Sequence, residues 1–180
     1  YNINRANPGD PQQADNGSRP TRSQHTRRIG WLSLDEADND PAHFLAYLIA
    51  ALTRAQLLGE DFGKGSLSML QAPQAPPAQS VLIPILNELA EAQGKIVLVL
   101  DDFHLIASEK VNQAVESLVQ NAPENLHVVI TSRADVPMQV SRMRLENTIA
   151  EIRMDDLRFN SDETRALLQA VMNEDITDDL

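Results

Sequence analysis

The 180-residue sequence contains no cysteine, which excludes disulfide bonds and thiolate metal sites. It also has no apolar run long enough to span a membrane and no apolar signal core near its start. Lys and Arg are few, 15 against 26 Asp and Glu, and the net charge of -11 disfavours binding to DNA or RNA phosphates. These absences predict a soluble cytoplasmic protein that does not bind membranes.

Basic residues are concentrated at the beginning of the chain. Residues 1–30 carry a charge balance of +3, whereas residues 31–180 carry -14. The first segment is rich in Asn, Gln, Pro, Gly, Ser and Arg, with almost no apolar side chain before Ile29. Such a segment buries too little apolar surface to offset the entropy lost on ordering. We therefore predict a disordered segment over residues 1–28 and a partial nucleotide-binding domain over residues 29–180.

Hydrophobic spacing predicts alternating strands and helices, which is typical of an α/β fold with a mostly parallel sheet. Five consecutive apolar residues, Ile96 to Leu100, predict a strand covered by helices on both faces. Asp40 can cap the first helix, and Pro41 suits the first helical position because its missing N–H is not needed there. The predicted elements are a strand over 31–35, a helix over 41–58, a loop over 59–79, a helix over 80–93, a strand over 95–102, a helix from about 108, strands over 127–132 and 148–153, and a capped helix from about 160.

Two acidic residues, Asp101 and Asp102, end the most apolar strand. Ligands of open α/β sheets bind at the carboxyl ends of the strands. Mg²⁺ prefers one or two carboxylates together with waters and substrate phosphates, and a neighbouring acid can orient an attacking water. The alternative is an Asx-type turn with both acids solvated. The pattern by itself leaves both interpretations open.

A polar triplet, Thr131-Ser132-Arg133, follows the next predicted strand. The guanidinium of Arg133 is permanently charged, and its planar fork matches phosphate oxygens. It could therefore contact a terminal phosphate beside the acid pair. The alternative is an arginine in a surface loop, paired with Asp135, and the triplet taken alone favours that alternative.

Residues 59–66, GEDFGKGS, resemble the phosphate-binding loop GxxxxGK[ST]. The spacing between the glycines is one residue short, and Gly65 stands where a hydroxyl side chain should hold the metal. A phosphate-binding loop follows a strand, whereas a helix is predicted before this segment. We predict a surface loop here, and no other stretch of the sequence offers the motif.

Four sequence blocks occur in one order along the chain: WLSLDEADNDPAHFLAYLIAAL, KIVLVLDDFHLI, HVVITSRADVP and EIRMDDLRFNSDET. Together they resemble the ATP-binding domain of the large ATP-binding LuxR-family regulators, the MalT-like transcriptional activators of the STAND class of NTPases. The resemblance covers about residues 29–172. It implies a P-loop NTPase-like fold of the STAND/AAA-like type, with a mostly parallel sheet flanked by helices.

The resemblance also implies roles for three residues. Asp101 would be the Walker B acid that positions Mg²⁺, Asp102 the adjacent catalytic acid, and Arg133 the sensor arginine near the terminal phosphate of ATP. In this family ATP acts as a switch: the ATP-bound protein self-associates and activates transcription, and slow hydrolysis resets it. DNA is bound through a C-terminal helix-turn-helix.

The sequence departs from the family pattern before the first block. The family carries its first strand, phosphate-binding loop and first helix there, and residues 1–28 show none of these. The chain is also too short for the sensor repeats and the helix-turn-helix. We therefore expect a fragment, incomplete at its N-terminal strand, that by itself binds ATP poorly, is inactive as an ATPase and binds no promoter.

Two other hypotheses belong to different functional classes. A non-enzymatic interaction module with a degenerate nucleotide site is supported by the missing phosphate-binding loop. A phospho-acceptor receiver domain would also place acids at strand ends, but it requires a further Asp after a later strand. The next strand leads into Thr131-Ser132-Arg133 instead, which disfavours a receiver domain.

Overall fold

The computed structural model describes residues 28–55, 61–74 and 76–172. The chain divides into two compact units, the first ending at Val136 and the second beginning at Pro137. Short 3-10 turns follow the first two strands, at Glu36–Asn39 and Phe103–Leu105. The strands and helices are β1 (Arg28–Ser33), α1 (Pro41–Arg54), α2 (Lys64–Leu70), α3 (Ala78–Glu91), β2 (Ile96–Asp101), α4 (Glu109–Gln120) and β3 (Leu126–Ile130) in the first unit, and α5 (Ser141–Leu145), α6 (Met154–Leu157) and α7 (Ser161–Met172) in the second.

The three strands form one parallel sheet in the order β1-β2-β3. The α/β class and the parallel sheet predicted from the sequence are thereby confirmed, and the arrangement is consistent with a P-loop NTPase-like fold. Parallel crossover connections are almost always right-handed. Because the strand order follows the chain order, both crossovers place their helices on the same face of the sheet.

The core lies between this face of the sheet and the helices α1, α3 and α4. The side chains of Ile96, Leu98 and Leu100 alternate along β2 toward it and are fully buried. Gly30 lies on the same face of β1, where a Cβ atom would stand 3.0 Å from the backbone oxygen of Ala51 in α1. The missing side chain therefore lets α1 approach the strand closely. The helices contribute the buried residues Phe44, Leu45, Leu48, Ile49, Leu52, Val81, Leu82, Ile85, Leu89, Val111, Ala114, Val115 and Leu118.

The opposite face of the sheet is open among the described residues. Ile29, Trp31 and Val129 alternate with the core residues, and their side chains are 52%, 57% and 44% exposed. Val99 is only 6% exposed because it lies between Trp31 and Val129 in the paired register. The apolar run in β2 predicted helices on both faces, but the described part of the first unit provides one helical layer.

Helix α2 corrects the predicted loop over 59–79. The turn before it buries Phe62, and Ser66 within it is fully buried and donates its hydroxyl to the backbone oxygen of Val81 at 2.9 Å. Contacts with α1 and α3 therefore stabilise a short helix that its own sequence does not signal. The prolines that predicted a loop lie beyond its end.

Other predicted boundaries are shifted or wrong. β1 begins at Arg28, three residues earlier than predicted, and the strand predicted over 148–153 is irregular chain. Ile152 in that segment is 71% exposed, so its side chain is not packed into a core as it would be on the buried face of a strand. The caps were predicted correctly: Asp40 accepts the N–H of His43 at the start of α1, and Asn160 exchanges hydrogen bonds with Glu163 before α7.

The predicted disordered segment falls almost entirely on residues 1–27, which lie outside the described residues. Leu58, the predicted end of the first helix, also lies outside them. Within the described ranges, no helix combines the length and the apolar character needed to cross a membrane.

Candidate functional site

The predicted acid pair lies where β2 and β3 end. The register pairs Leu100 with Ile130, so the next residues along the two strands, Asp101 and Thr131, stand side by side. The hydroxyl of Thr131 donates to Oδ1 of Asp101 and accepts the backbone N–H of Asp102 at 3.1 Å. One threonine hydroxyl therefore links both acidic residues and fixes their positions relative to β3.

Asp102 has a left-handed backbone, with φ 58° and ψ 38°. Residues other than glycine seldom adopt this conformation, and such residues cluster at functional sites. The turn is held by two backbone bonds, from the N–H of Phe103 to the oxygen of Thr131 at 2.9 Å and from the N–H of Leu105 to the oxygen of Asp102 at 3.0 Å. The side chain of Asp102 is 46% exposed, and its Oδ1 lies 3.8 Å from Nδ1 of His104.

β1 ends at the same place. Ser33 pairs with Asp101, and the N–H of Leu34 donates to the backbone oxygen of Asp101 at 3.0 Å. The hydroxyl of Ser33 accepts the indole N–H of Trp31 at 3.1 Å. We call this end of the sheet, formed by Ser33, Asp101 and Thr131, the carboxyl edge. The carboxyl ends of all three strands therefore lie at the edge of the sheet that carries the acid pair.

Arg133 follows Thr131 by two residues and is exposed. No hydrogen bond or ion pair between described residues joins its guanidinium to Asp101 or Asp102. The structure therefore brings the two acids and Thr131 together directly and leaves the Arg133 side chain in solvent after the same strand. The linking role of Thr131 was missed in the sequence, although a hydroxyl residue directly after the strand that neighbours an acid pair was the available signal.

The donor set at the carboxyl edge suits Mg²⁺. Asp101 and Asp102 offer hard oxygen ligands, and Mg²⁺ commonly takes one or two carboxylates and completes its shell with waters and phosphates. In the part of the chain that the structure describes, no group of three or more His, Asp and Glu side chains could hold a metal by itself. A Mg²⁺ ion held by Asp101 and Asp102 would take its other ligands from water and a phosphate.

The segment that resembles a phosphate-binding loop is engaged in internal contacts. The N–H of Gly63 donates to the carboxylate of Glu88 at 3.0 Å, and Nζ of Lys64 lies 2.7 Å from Oδ1 of Asp61. The hydroxyl of Ser66 is buried and bonded to a backbone oxygen. The Gly63 N–H, the Lys64 ammonium and the Ser66 hydroxyl therefore have partners within the chain, which disfavours a phosphate site in the described residues 61–66. The surface loop predicted for this segment is wrong from Lys64 onward, where α2 begins.

Comparison with known proteins relates the chain to one group of transcriptional regulators. No family model matches the chain. The HTH-type transcriptional regulator MalT of Yersinia enterocolitica is 33% identical over 137 residues, which is 76% of this chain. MalT of Vibrio cholerae is 31% identical over 136 residues, again 76% of the chain. The chain is homologous to the MalT regulators.

MalT of Vibrio campbellii extends the match to 152 residues, 84% of the chain, at 29% identity. The chain spans only about 15% of the length of the MalT proteins that it matches. The resemblance to the MalT-like regulators inferred from the four sequence blocks is therefore confirmed. Within MalT, the match concerns a limited part of a much longer polypeptide.

Proposed function

We propose that this chain forms the magnesium-binding and phosphate-sensing part of an ATP-dependent switch domain in a cytoplasmic MalT-like transcriptional regulator. The observation that carries the proposal is the linkage of Asp101 and Asp102 by the Thr131 hydroxyl where two parallel strands end. Asp101 would hold Mg²⁺ through water, Asp102 would orient or deprotonate the attacking water, and Arg133 would contact the terminal phosphate of ATP.

The electrostatics of the carboxyl edge favour a bound cation. Adjacent carboxylates repel each other, and a divalent cation between protein and phosphate offsets that repulsion. The Thr131 hydroxyl donates a hydrogen bond to Oδ1 of Asp101, and no donor among the described residues bonds to Oδ2. An oxygen of the first acid thus stays free for a metal-bound water, while the carboxylate as a whole is oriented by the hydroxyl.

The open sheet face supports a larger nucleotide-binding domain. β3 ends the sheet on one side, and Ile29, Trp31 and Val129 expose apolar surface on the face without helices. A further parallel strand beside β3, with its helix on the open face, would cover this surface. The segment following such a strand would lie beside Thr131, on the same edge of the sheet as Asp101, because the carboxyl ends of parallel strands meet at one edge. We propose that the phosphate-binding loop enters there from a longer polypeptide.

In this proposal ATP binding by the isolated chain is weak, and slow regulatory ATP hydrolysis belongs to the longer regulator. Self-association in the ATP-bound state and DNA binding through a helix-turn-helix belong to it as well. A second candidate is a non-enzymatic interaction module. The exposure of Trp31 and its apolar neighbours favours it, since a large open apolar face is typical of a binding surface.

The test is paramagnetic broadening of amide NMR signals by Mn²⁺ in the presence of ATP, supported by calorimetry with Mg-ATP. Mn²⁺ replaces Mg²⁺ and detects weak binding by its proximity to individual amides. We expect broadening at Asp102 and Thr131 in the wild type. We also expect the Asp101→Ala variant to lose it.

The matched control is Lys64→Ala, which removes the only lysine of the 59–66 segment. This variant should leave the broadening unchanged. Loss of broadening in Lys64→Ala would make residues 59–66 the phosphate site and overturn the assignment to the carboxyl edge. No broadening in the wild type would refute magnesium binding by this chain and favour the interaction module.

A further inference from the structure

The side chain of Asn39 connects two loops that are far apart in the sequence. It ends the 3-10 turn between β1 and α1, yet its Nδ2 donates to the backbone oxygen of Leu105 at 3.0 Å. Its Oδ1 accepts the N–H groups of Ala107 and Ser108, both at 2.7 Å. A second bond from Nδ2 goes to the oxygen of Glu36 at 3.1 Å. All four hydrogen-bonding positions of the amide are thereby used.

The loop that Asn39 binds is the one that begins at Asp102. It runs through the 3-10 turn at Phe103–Leu105 to Ser108, which directly precedes α4. Oδ1 of Asn39 binds the N–H groups of Ala107 and Ser108, the two residues that directly precede α4. The loop is therefore held at both ends, by the Thr131 hydroxyl at Asp102 and by the Asn39 amide at Leu105 to Ser108.

We infer that Asn39 is the positioning residue for Asp102, an inference that takes its functional meaning from the proposed role of the acid pair. Asp102 has a backbone conformation that residues other than glycine rarely populate, and it persists only when the surroundings determine it. The Asn39 amide binds the oxygen of Leu105, whose N–H makes the turn bond to Asp102, and it binds the N–H groups of Ala107 and Ser108. It therefore holds the chain on the C-terminal side of Asp102.

The same side chain couples the Asp102 loop to α1. Asn39 directly precedes Asp40, which caps α1 through the N–H of His43 at 2.8 Å. α1 packs on β1, where Gly30 allows the close approach. A shift of α1 along the sheet would therefore be passed through Asn39 to the loop that carries the acid.

The test compares Asn39→Ala with Asn125→Ala in this chain. Nδ2 of Asn125 donates to the oxygens of Leu89 and Ala92, both at 2.8 Å, directly before β3 and therefore at the other end of the sheet. Each variant removes a half-buried asparagine that binds a loop. Asn125→Ala therefore controls for the general loss of stability that such a substitution causes. The ligand-free readouts are hydrogen exchange of the Ala107 and Ser108 amides and the scalar coupling that reports φ of Asp102.

We expect Asn39→Ala to speed exchange at Ala107 and Ser108 by about tenfold relative to Asn125→Ala, the loss expected for one hydrogen bond. The Asp102 coupling should change in Asn39→Ala alone. Unchanged exchange and coupling, or equal changes in both variants, would overturn the inference. Should Asn39→Ala fail to fold, Asn39→Ser decides, because its side chain is too short to bridge both loops and should likewise speed exchange at Ala107 and Ser108. Slow exchange at both amides in a folded Asn39→Ser variant counts against the inference.

A third readout tests whether the position of Asp102 matters for metal binding. Broadening of the Asp102 amide by Mn²⁺ with ATP should fall several-fold in Asn39→Ala and stay unchanged in Asn125→Ala. If the wild type shows no broadening, the proposed magnesium site is wrong, but exchange and coupling still decide whether Asn39 positions Asp102. Failure of the proposed function and failure of this inference therefore give different results.

Discussion

Gly63 provides the sharpest test of how the glycine-rich segment before α2 is built. Its backbone is left-handed, with φ 68°, and a Cβ added there would lie 2.5 Å from Cγ2 of Ile49 in α1. The structure therefore explains this glycine by packing against a neighbouring helix. A glycine kept for phosphate binding would instead leave open space for a ligand. The Gly63→Ala substitution distinguishes these explanations.

The expected cost of Gly63→Ala is about 3 kcal/mol. A left-handed alanine contributes roughly 1–2 kcal/mol, and the overlap with Ile49 adds about 1–3 kcal/mol of overpacking. With a urea dependence of about 2 kcal/mol per molar, the unfolding midpoint should fall by about 1.5 M. Urea unfolding followed by circular dichroism measures this shift.

Gly65 supplies a control with the opposite sign. It lies inside α2, and nothing stands within 4 Å of an added Cβ. Gly65→Ala should therefore stabilise the chain by about 0.5–1 kcal/mol, the usual gain from replacing a helical glycine. Two substitutions of the same kind, two residues apart, should move the midpoint in opposite directions.

A double-mutant cycle isolates the contact between Gly63 and Ile49. Ile49→Ala removes the atom that the new methyl group would strike, so the double variant should recover about 1–3 kcal/mol relative to additive behaviour. The reasoning is refuted if Gly63→Ala is neutral or if the cycle shows no coupling. Either result would mean that packing does not require glycine at this position.

Two further predictions concern charge and exposure. Hydrogen bonds from Arg144 and then Arg153 lower the pKa of Glu151 to about 2, so the stabilisation from this carboxylate is present at neutral pH and lost as the pH falls through 2. Arg144→Gln should raise the Glu151 titration midpoint measured by carbon NMR, and an unchanged midpoint would contradict this cause. Trp31, the only tryptophan and 57% exposed, should emit as a solvated indole and be readily quenched by acrylamide. A blue-shifted, protected emission would show that the sheet face is covered.

The acid pair could be predicted because its signal is local. Five apolar residues followed by Asp101 and Asp102 mark the end of a buried strand, and strand ends are where open sheets bind ligands. The hydrogen bond to Thr131 could not be predicted in the same way. It depends on the β2–β3 register, which places Thr131 beside Asp101 across a gap of 30 residues.

Helix α2 shows the same limit in the fold. Seven residues are too few to form a helix through their own propensity, so the sequence window gave no helical signal. The helix forms because Phe62 and Ser66 are buried against neighbouring helices. The strand predicted over 148–153 failed for the opposite reason: Ile149 and Ile152 had the composition of a strand, but no strand among the described residues pairs with that segment.

The sequence by itself determined the alternation of strands and helices, the caps at Asp40 and Asn160, the acids after β2 and the relationship to the MalT regulators. The first three features depend on residues that are neighbours in the sequence. The relationship to the MalT regulators depends on sequence blocks that can be compared with those of other proteins. Only the tertiary structure decided that the described part of the first unit leaves one sheet face without helices and that Asn39 holds the Asp102 loop. Both depend on contacts between residues distant in sequence, such as the 66 positions that separate Asn39 from Leu105. Strand order and register create such contacts, and no local pattern records them.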